Sequence, residues 1–192
     1  MGSHFQTVVD LDATPADARA LAELGLGWLV REGIVRAGMT PCVLGAPLGH
    51  PPGDSWASAV AEADWEPTDG LRIEAPRRTV FDGGQGEPRY ARCPHCAYRV
   101  ELLTGDWDPV DGAWDPFDAA IEAWRATGLA SVACPGCGRD GELAAWGWEG
   151  DHFAFGCLGF EFWDWPEFSP AFLERFARAL GGHRLVVVGG KF

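Results

Sequence analysis

The sequence predicts an α+β fold. A β-α-β unit at each end of the chain contributes to one sheet with helices on a face, and a metal-stapled module is inserted between them. Three observations predict this. A β-branched run followed by an amphipathic helical pattern stands near the N-terminus. The same order recurs near the C-terminus. Two Cys-x-x-Cys pairs, separated by 37 intervening residues, stand between the two units. The chain has 192 residues, 47% of them hydrophobic, enough for one core with an insertion or for two small domains.

Residues 5–11, Phe-Gln-Thr-Val-Val-Asp-Leu, read as the first strand. Thr14-Pro15-Ala16-Asp17 predicts a helix start, with Thr14 as cap, Pro15 in the first turn and Asp17 at the positive helix end. Ala18, Leu21, Ala22, Gly25, Trp28 and Leu29 follow at helical spacing, and Gly33 ends the helix. Met39–Leu44 reads as a short strand that closes the first β-α-β unit. Residues 45–54 are rich in Pro and Gly and read as a loop. A short helix is expected over Trp56–Ala63, a strand over 71–75 and a loop over 82–88.

In the middle, Ala97–Leu103 and Glu142–Trp148 read as strands that leave the two Cys pairs. Pro116–Thr127 reads as a helix capped by Asp115, with Phe117, Ala120, Ile121 and Trp124 on one face. Phe153–Trp165 reads as one aromatic strand. Ser169-Pro170 starts the last helix, with Phe172, Leu173, Phe176, Ala177 and Leu180 as its apolar stripe. Arg184–Val188 is the final strand, and its Leu-Val-Val-Val run suits burial. The predicted outer core holds Trp28, Leu29, Phe172, Phe176 and Val186. Residues 5–88 and 149–192 are thus expected to form one α/β core, in a ferredoxin-like arrangement, with residues 89–148 inserted. Two independent domains are the alternative.

Cys93, Cys96, Cys134 and Cys137 offer four thiolates, one complete tetrahedral zinc shell. Four thiolates leave no position for a substrate or water, so the expected Zn2+ is structural. The second pair and its neighbour, Cys-Pro-Gly-Cys-Gly, resemble a zinc knuckle of the zinc-ribbon families. The first, Cys-Pro-His-Cys-Ala, departs from that pattern by ending in Ala97. The resemblance covers the two turns and their flanks, and it implies a metal and a local fold rather than an activity. His95 could stand in for a cysteine, but Cys93 and Cys96 already suit the turn.

Other constellations are weaker. Asp106–Gly112 fails the EF-hand register, because position five is Val110 and position twelve is Phe117. Cys42 with His50, and Cys157 with His152, lack a third partner for nucleophilic catalysis. The paired carboxylates Asp10 and Asp12, Asp64 and Glu66, and Asp164 and Glu167 read as solvated surface. The pairs Trp146 and Trp148, and Trp163 and Trp165, each read as lying on one strand face. They serve either core packing or an exposed aromatic surface for a partner.

The net charge is −13, and Lys191 is the only lysine. A nucleic acid is therefore an unfavoured partner. No apolar run reaches the 18 or so residues a membrane span needs, and no secretory signal precedes the first strand. Metal-type cysteines without a secretory segment fit a reducing, cytoplasmic setting. The leading expectation is a zinc-stabilised module that binds another protein, as an immunity or regulatory protein binds a basic partner. The alternatives are a nucleic-acid-associated zinc-ribbon protein and an enzyme with a pocket near residues 45–54 and Cys42.

Overall fold

The structure, a computed structural model, describes residues 2–191; Met1 and Phe192 lie outside the described residues. Strand β1 (His4–Asp10) is followed by α1 (Ala18–Arg31), β2 (Leu71–Glu74) and β3 (Thr79–Asp82). The middle of the chain supplies β4 (Tyr90–Arg92), β5 (Arg99–Glu101), α2 (Asp115–Thr127), β6 (Ser131–Ala133), β7 (Asp140–Glu142) and β8 (Gly147–Trp148). Strands β9 (Phe153–Gly156) and β10 (Leu158–Trp163), helix α3 (Pro170–Ala179) and strand β11 (Leu185–Lys191) complete it. The fold is α+β, as its sequence predicts.

The main sheet has the order β11-β1-β10-β2, and every neighbouring pair is antiparallel. Side chains alternate between its faces. Val8 stands opposite Phe160 and Val187, and Phe160 opposite Ile73. This row faces the helices. Thr7 stands opposite Glu161 and Val188, and Glu161 opposite Arg72. That row faces the other way.

Helices α1 and α3 cover the first face. Trp28, Leu29, Phe172 and Phe176 pack there with Leu158, Phe160 and Phe162. The rings of Trp28 and Phe176 are 5.4 Å apart, and Phe160 meets Phe176 edge-on at 4.9 Å. Helix α3 begins as its sequence predicts. Ser169 Oγ accepts the Phe172 N–H at 3.1 Å, and Pro170 occupies the first turn.

Helix α1 begins later than its sequence predicts. The Asp17 carboxylate accepts the Thr14 N–H at 2.7 Å, which closes a turn over residues 14–17, and the helix starts at Ala18. Thr14 is therefore not its cap. Asp115 likewise is the first residue of α2 rather than its cap, and Trp114 takes the cap position without a side-chain bond.

Residues 39–44 form no strand. Thr40 makes only an isolated bridge to Gly49, while Met39, Leu44 and Leu48 are exposed. No face of that segment is buried, so alternation has nothing to pack against. The strand that completes the first β-α-β unit is β2, which buries Leu71 beneath α1 and α3. The aromatic run at 153–165 also divides, with β9 and β10 in different sheets. After β10, Asp164 adopts φ +47°, and the chain turns so that Trp165 enters the helix-side core while Trp163 stays on the opposite face.

Strands β2 and β10 are neighbours, with Glu74 opposite Gly159. The chain between them leaves the sheet and returns to it at the end of this pair. It builds a second apolar core from Phe117, Ala120 and Trp124 of α2 with Val132, Leu143, Trp146 and Trp148. Phe117 meets Trp146 edge-on at 5.0 Å and Trp148 at 5.2 Å. The ribbon β3–β9 stands between the two cores. Its paired residues Val80 and Phe155 pack into the second core. The next pair, Phe81 and Ala154, packs with Val9, Val186 and Val188 on the far face of the main sheet.

Candidate metal centre

Each Cys pair lies in the turn of a short hairpin. Strands β4 and β5 flank the first, with Arg92 opposite Arg99. Strands β6 and β7 flank the second, with Ala133 opposite Asp140. The two turns share one hydrogen-bond pattern. Cys93 N–H donates to Tyr98 O and Cys134 N–H to Arg139 O, both at 2.9 Å. Ala97 N–H donates to Cys93 O at 3.0 Å, and Gly138 N–H to Cys134 O at 2.8 Å. His95 N–H points at Cys93 Sγ at 3.4 Å, and Gly136 N–H at Cys134 Sγ at 3.3 Å. Such N–H groups favour thiolate over thiol.

The turns interlock. The Tyr98 ring lies over Gly136, where a Cβ would come within 2.5 Å of it. Pro94 lies over Gly141 in the same way, at 2.9 Å. His95 Nε2 bonds Asp140 O at 2.9 Å, so it ties one turn to the other and is not a substitute ligand. The four Sγ atoms all lie within 4.8 Å of one another. Cys93 and Cys134 are buried against the second core, while Cys96 and Cys137 face outward.

Four thiols this close cannot all ionise without a cation. Burial raises the Cys93 thiol, but the N–H groups of His95 and Cys96 and the adjoining thiols outweigh it and bring Cys93 down to about 6. The Tyr98 N–H lowers Cys96, yet burial and the surrounding sulfurs prevail and push it up to about 12. One sulfur is thus ready to ionise and its neighbour resists. A bound cation removes that conflict, and the four soft donors suit a thiophilic metal. The sequence-predicted ligands are therefore gathered in one place, positioned to hold a metal ion.

The other sequence candidates are not so gathered. His50 Nδ1 bonds the Arg36 carbonyl at 3.1 Å. Cys157 is buried, and burial pushes its thiol up, away from the nucleophilic form. Asp10 and Asp12 are not a solvated pair. Asp10 is fully buried; its Oδ1 caps the N–H groups of Asp12 and Ala13, and its Oδ2 meets His183 Nδ1 at 2.8 Å. Asp12 is clamped by Arg184. Trp146, Trp148, Trp163 and Trp165 are all buried. Among the described residues the exposed aromatics are Trp65, Tyr98 and Trp107, each outside those four.

Sequence reading missed a cavity of about 460 Å³ on the far face of the main sheet. Glu161 lies at its floor, nine-tenths buried, and accepts hydrogen bonds from Trp163 Nε1 and Arg72 Nη2. The spacing of Glu161 and Trp163, two apart on one strand, was the available signal.

No protein-family model matches this chain, and no match was found among curated proteins or solved structures. No helix of the described residues is long and apolar enough to cross a membrane.

Proposed function

We propose that the protein is a zinc-stapled, cytoplasmic binding protein whose partner is a basic protein, in an immunity-like or regulatory pairing. Cys93, Cys96, Cys134 and Cys137 would hold the Zn2+, which supplies cross-linking rather than catalysis because four thiolates complete its shell. Residues 89–148 would be a zinc-ribbon module, inserted into a ferredoxin-like core made of residues 5–88 and 149–192. The β11-β1-β10-β2 order with both helices on one face supports that core.

The charge balance carries the reading. Eight arginines already stand within 4.0 Å of a carboxylate: Arg36, Arg72, Arg77, Arg89, Arg99, Arg125, Arg175 and Arg184. Against 15 basic residues the chain has 28 acidic ones, so the excess is left to the surface. Such a field steers basic partners and repels acidic ones. The test is capture by the tagged, metal-loaded protein from its host lysate, with salt steps. A stoichiometric basic partner released by salt is expected. Recovery of no stoichiometric protein sinks the proposal.

One observation favours a nucleic-acid-associated role instead. The Arg99 guanidinium stacks on Tyr90 at 3.6 Å, and Arg89 lies over the exposed Trp107 ring. Both arginines are already paired with carboxylates, Glu101 and Glu149 respectively. A gel shift at low salt with mixed DNA and RNA separates the two readings, since nonspecific affinity is greatest there.

A further inference from the structure

The four clustered cysteines divide into an inner and an outer pair. Cys93 and Cys134 are buried against the second core, while Cys96 and Cys137 are exposed. Each turn thus keeps one cysteine inside and shows one to solvent. An oxidant in solution is therefore given a first target, because cysteine oxidation follows thiolate character and exposure. A metal-held cysteine is already in the thiolate form.

The second step depends on which sulfur lies beside the one attacked. Cys96 Sγ of the first turn stands 3.7 Å from Cys134 Sγ of the second. A disulfide has an S–S length of about 2.05 Å, so a shift of under about 2 Å joins the two sulfurs. The turns hold this spacing through their own contacts. His95 Nε2 bonds Asp140 O at 2.9 Å, while the Tyr98 ring and Pro94 lie over Gly136 and Gly141.

We infer that Cys96 and Cys134 form a peroxide-sensitive disulfide switch, in which oxidation exchanges the metal staple for a covalent one. The inference rests on the zinc proposal for the same four cysteines and adds how that staple is released. The Cys96 thiolate attacks one oxygen of hydrogen peroxide. The O–O bond breaks, hydroxide leaves, and Cys96 becomes a sulfenic acid. The Cys134 thiolate then attacks Cys96 Sγ, the S–O bond breaks, and a second hydroxide leaves. In total two thiolates, one peroxide and two protons give one disulfide and two waters, with two electrons passing from sulfur to peroxide. Cys93 and Cys137 remain, too few for a closed shell, so the metal is lost. The new bond runs from one turn to the other and keeps them joined. A thiol reductant reverses it.

The test uses the full, reduced, zinc-loaded chain and hydrogen peroxide, without added thiol. Metal release is followed with a chromogenic zinc indicator. The cysteines are mapped by alkylation, proteolysis and mass spectrometry, with fragmentation to place each bond. One zinc is expected to leave for each disulfide formed, and that disulfide is expected to link Cys96 to Cys134. Dithiothreitol with added zinc should restore the starting state. A first disulfide within one turn, irreversible oxidation of Cys96 without a disulfide, or zinc retained while peroxide is consumed overturns the inference.

Replacing either cysteine removes a ligand, so the second measurement needs no variant. Limited proteolysis compares the zinc-loaded, the peroxide-oxidised and the chelator-stripped, reduced chains. The oxidised chain should resist cutting within residues 89–148 as the zinc-loaded one does, while the stripped chain is cut there. Equal cutting of the oxidised and stripped chains overturns the exchange of staples. The metal and the disulfide stand or fall separately. A chain purified without zinc sinks the zinc proposal, and its cysteine map still accepts or rejects the Cys96–Cys134 bond. A zinc-bearing chain that never forms that bond sinks this inference alone.

Discussion

Ala97 and Gly138 occupy the same place in two related turns, each directly after the second cysteine of its pair, with φ of +59° and +71°. Only the second is the residue type this backbone prefers. The chain therefore keeps one turn relaxed and the other strained. Ala97→Gly should tighten metal retention, and Gly138→Ala should loosen it, each by roughly 1 kcal/mol. Competition with a chromogenic chelator reads both. A change of the same sign in the two variants contradicts the shared geometry.

The purified chain should carry one zinc, and Cys134→Ser should lose it. Elemental analysis under reducing conditions measures this directly. In the variant, limited proteolysis should cut first within residues 89–148 while α1 and α3 stay folded. Metal-free wild-type protein under those conditions removes zinc from the account. Complete unfolding of the variant removes the insertion model.

Helix α1 crosses β10 at Gly25, where a Cβ would stand 2.5 Å from Phe160 Cζ. Gly27, two residues on, has open space around it. Alanine improves an exposed helix position by up to about 1 kcal/mol, so Gly27→Ala should stabilise. At Gly25 the same substitution overpacks the core and should cost about 1–3 kcal/mol. Chemical denaturation of both variants tests the crossing, and a stabilised Gly25→Ala would contradict it.

His152 packs edge-on to Phe153 at 4.6 Å, and burial lowers its pKa despite the nearby carboxylates of Asp82 and Glu87. The folded state thus prefers the neutral ring. Below the ordinary value of 6.5 the unfolded chain takes up this proton first, so stability falls as pH falls from there towards the lower folded value. Asp12 and Glu149, held low by Arg184 and Arg89, contribute stability that is present above their ordinary values of 3.8 and 4.5 and lost only in stronger acid. His152→Gln should therefore flatten the fall of the denaturation midpoint as pH drops below 6.5. An unaltered slope excludes His152 as its source.

What could be read from the sequence was local. Ser169-Pro170 specifies its own cap, and the Cys-x-x-Cys pairs specify their own turns, because the atoms that matter lie within a few residues. The helical stripe of Phe172 and Phe176 was legible for the same reason. Strand identity at 39–44 was not, since it depends on whether a distant surface buries one side. Leu71 found that surface and Leu44 did not. The cavity was hidden for a related reason. Glu161 looks like one more acid in an acidic chain until β1, β2 and β3 bring Thr7, Arg72 and Phe81 around it.

The two-sided ribbon also bears on how this chain could be shortened. Val80 and Phe155 belong to the cysteine-bearing core, while Phe81 and Ala154 shield Val9, Val186 and Val188. Removing residues 75–157 and closing β2 onto β10 with a short turn would keep every strand of the main sheet. It would also uncover those three valines together with Gly159, which now lies beneath the Phe81 ring. A bare apolar sheet face of this kind promotes aggregation. The segment 75–157 is thus a roof as well as the carrier of the cysteines, and a soluble minimal version would need polar replacements at positions 9, 186 and 188.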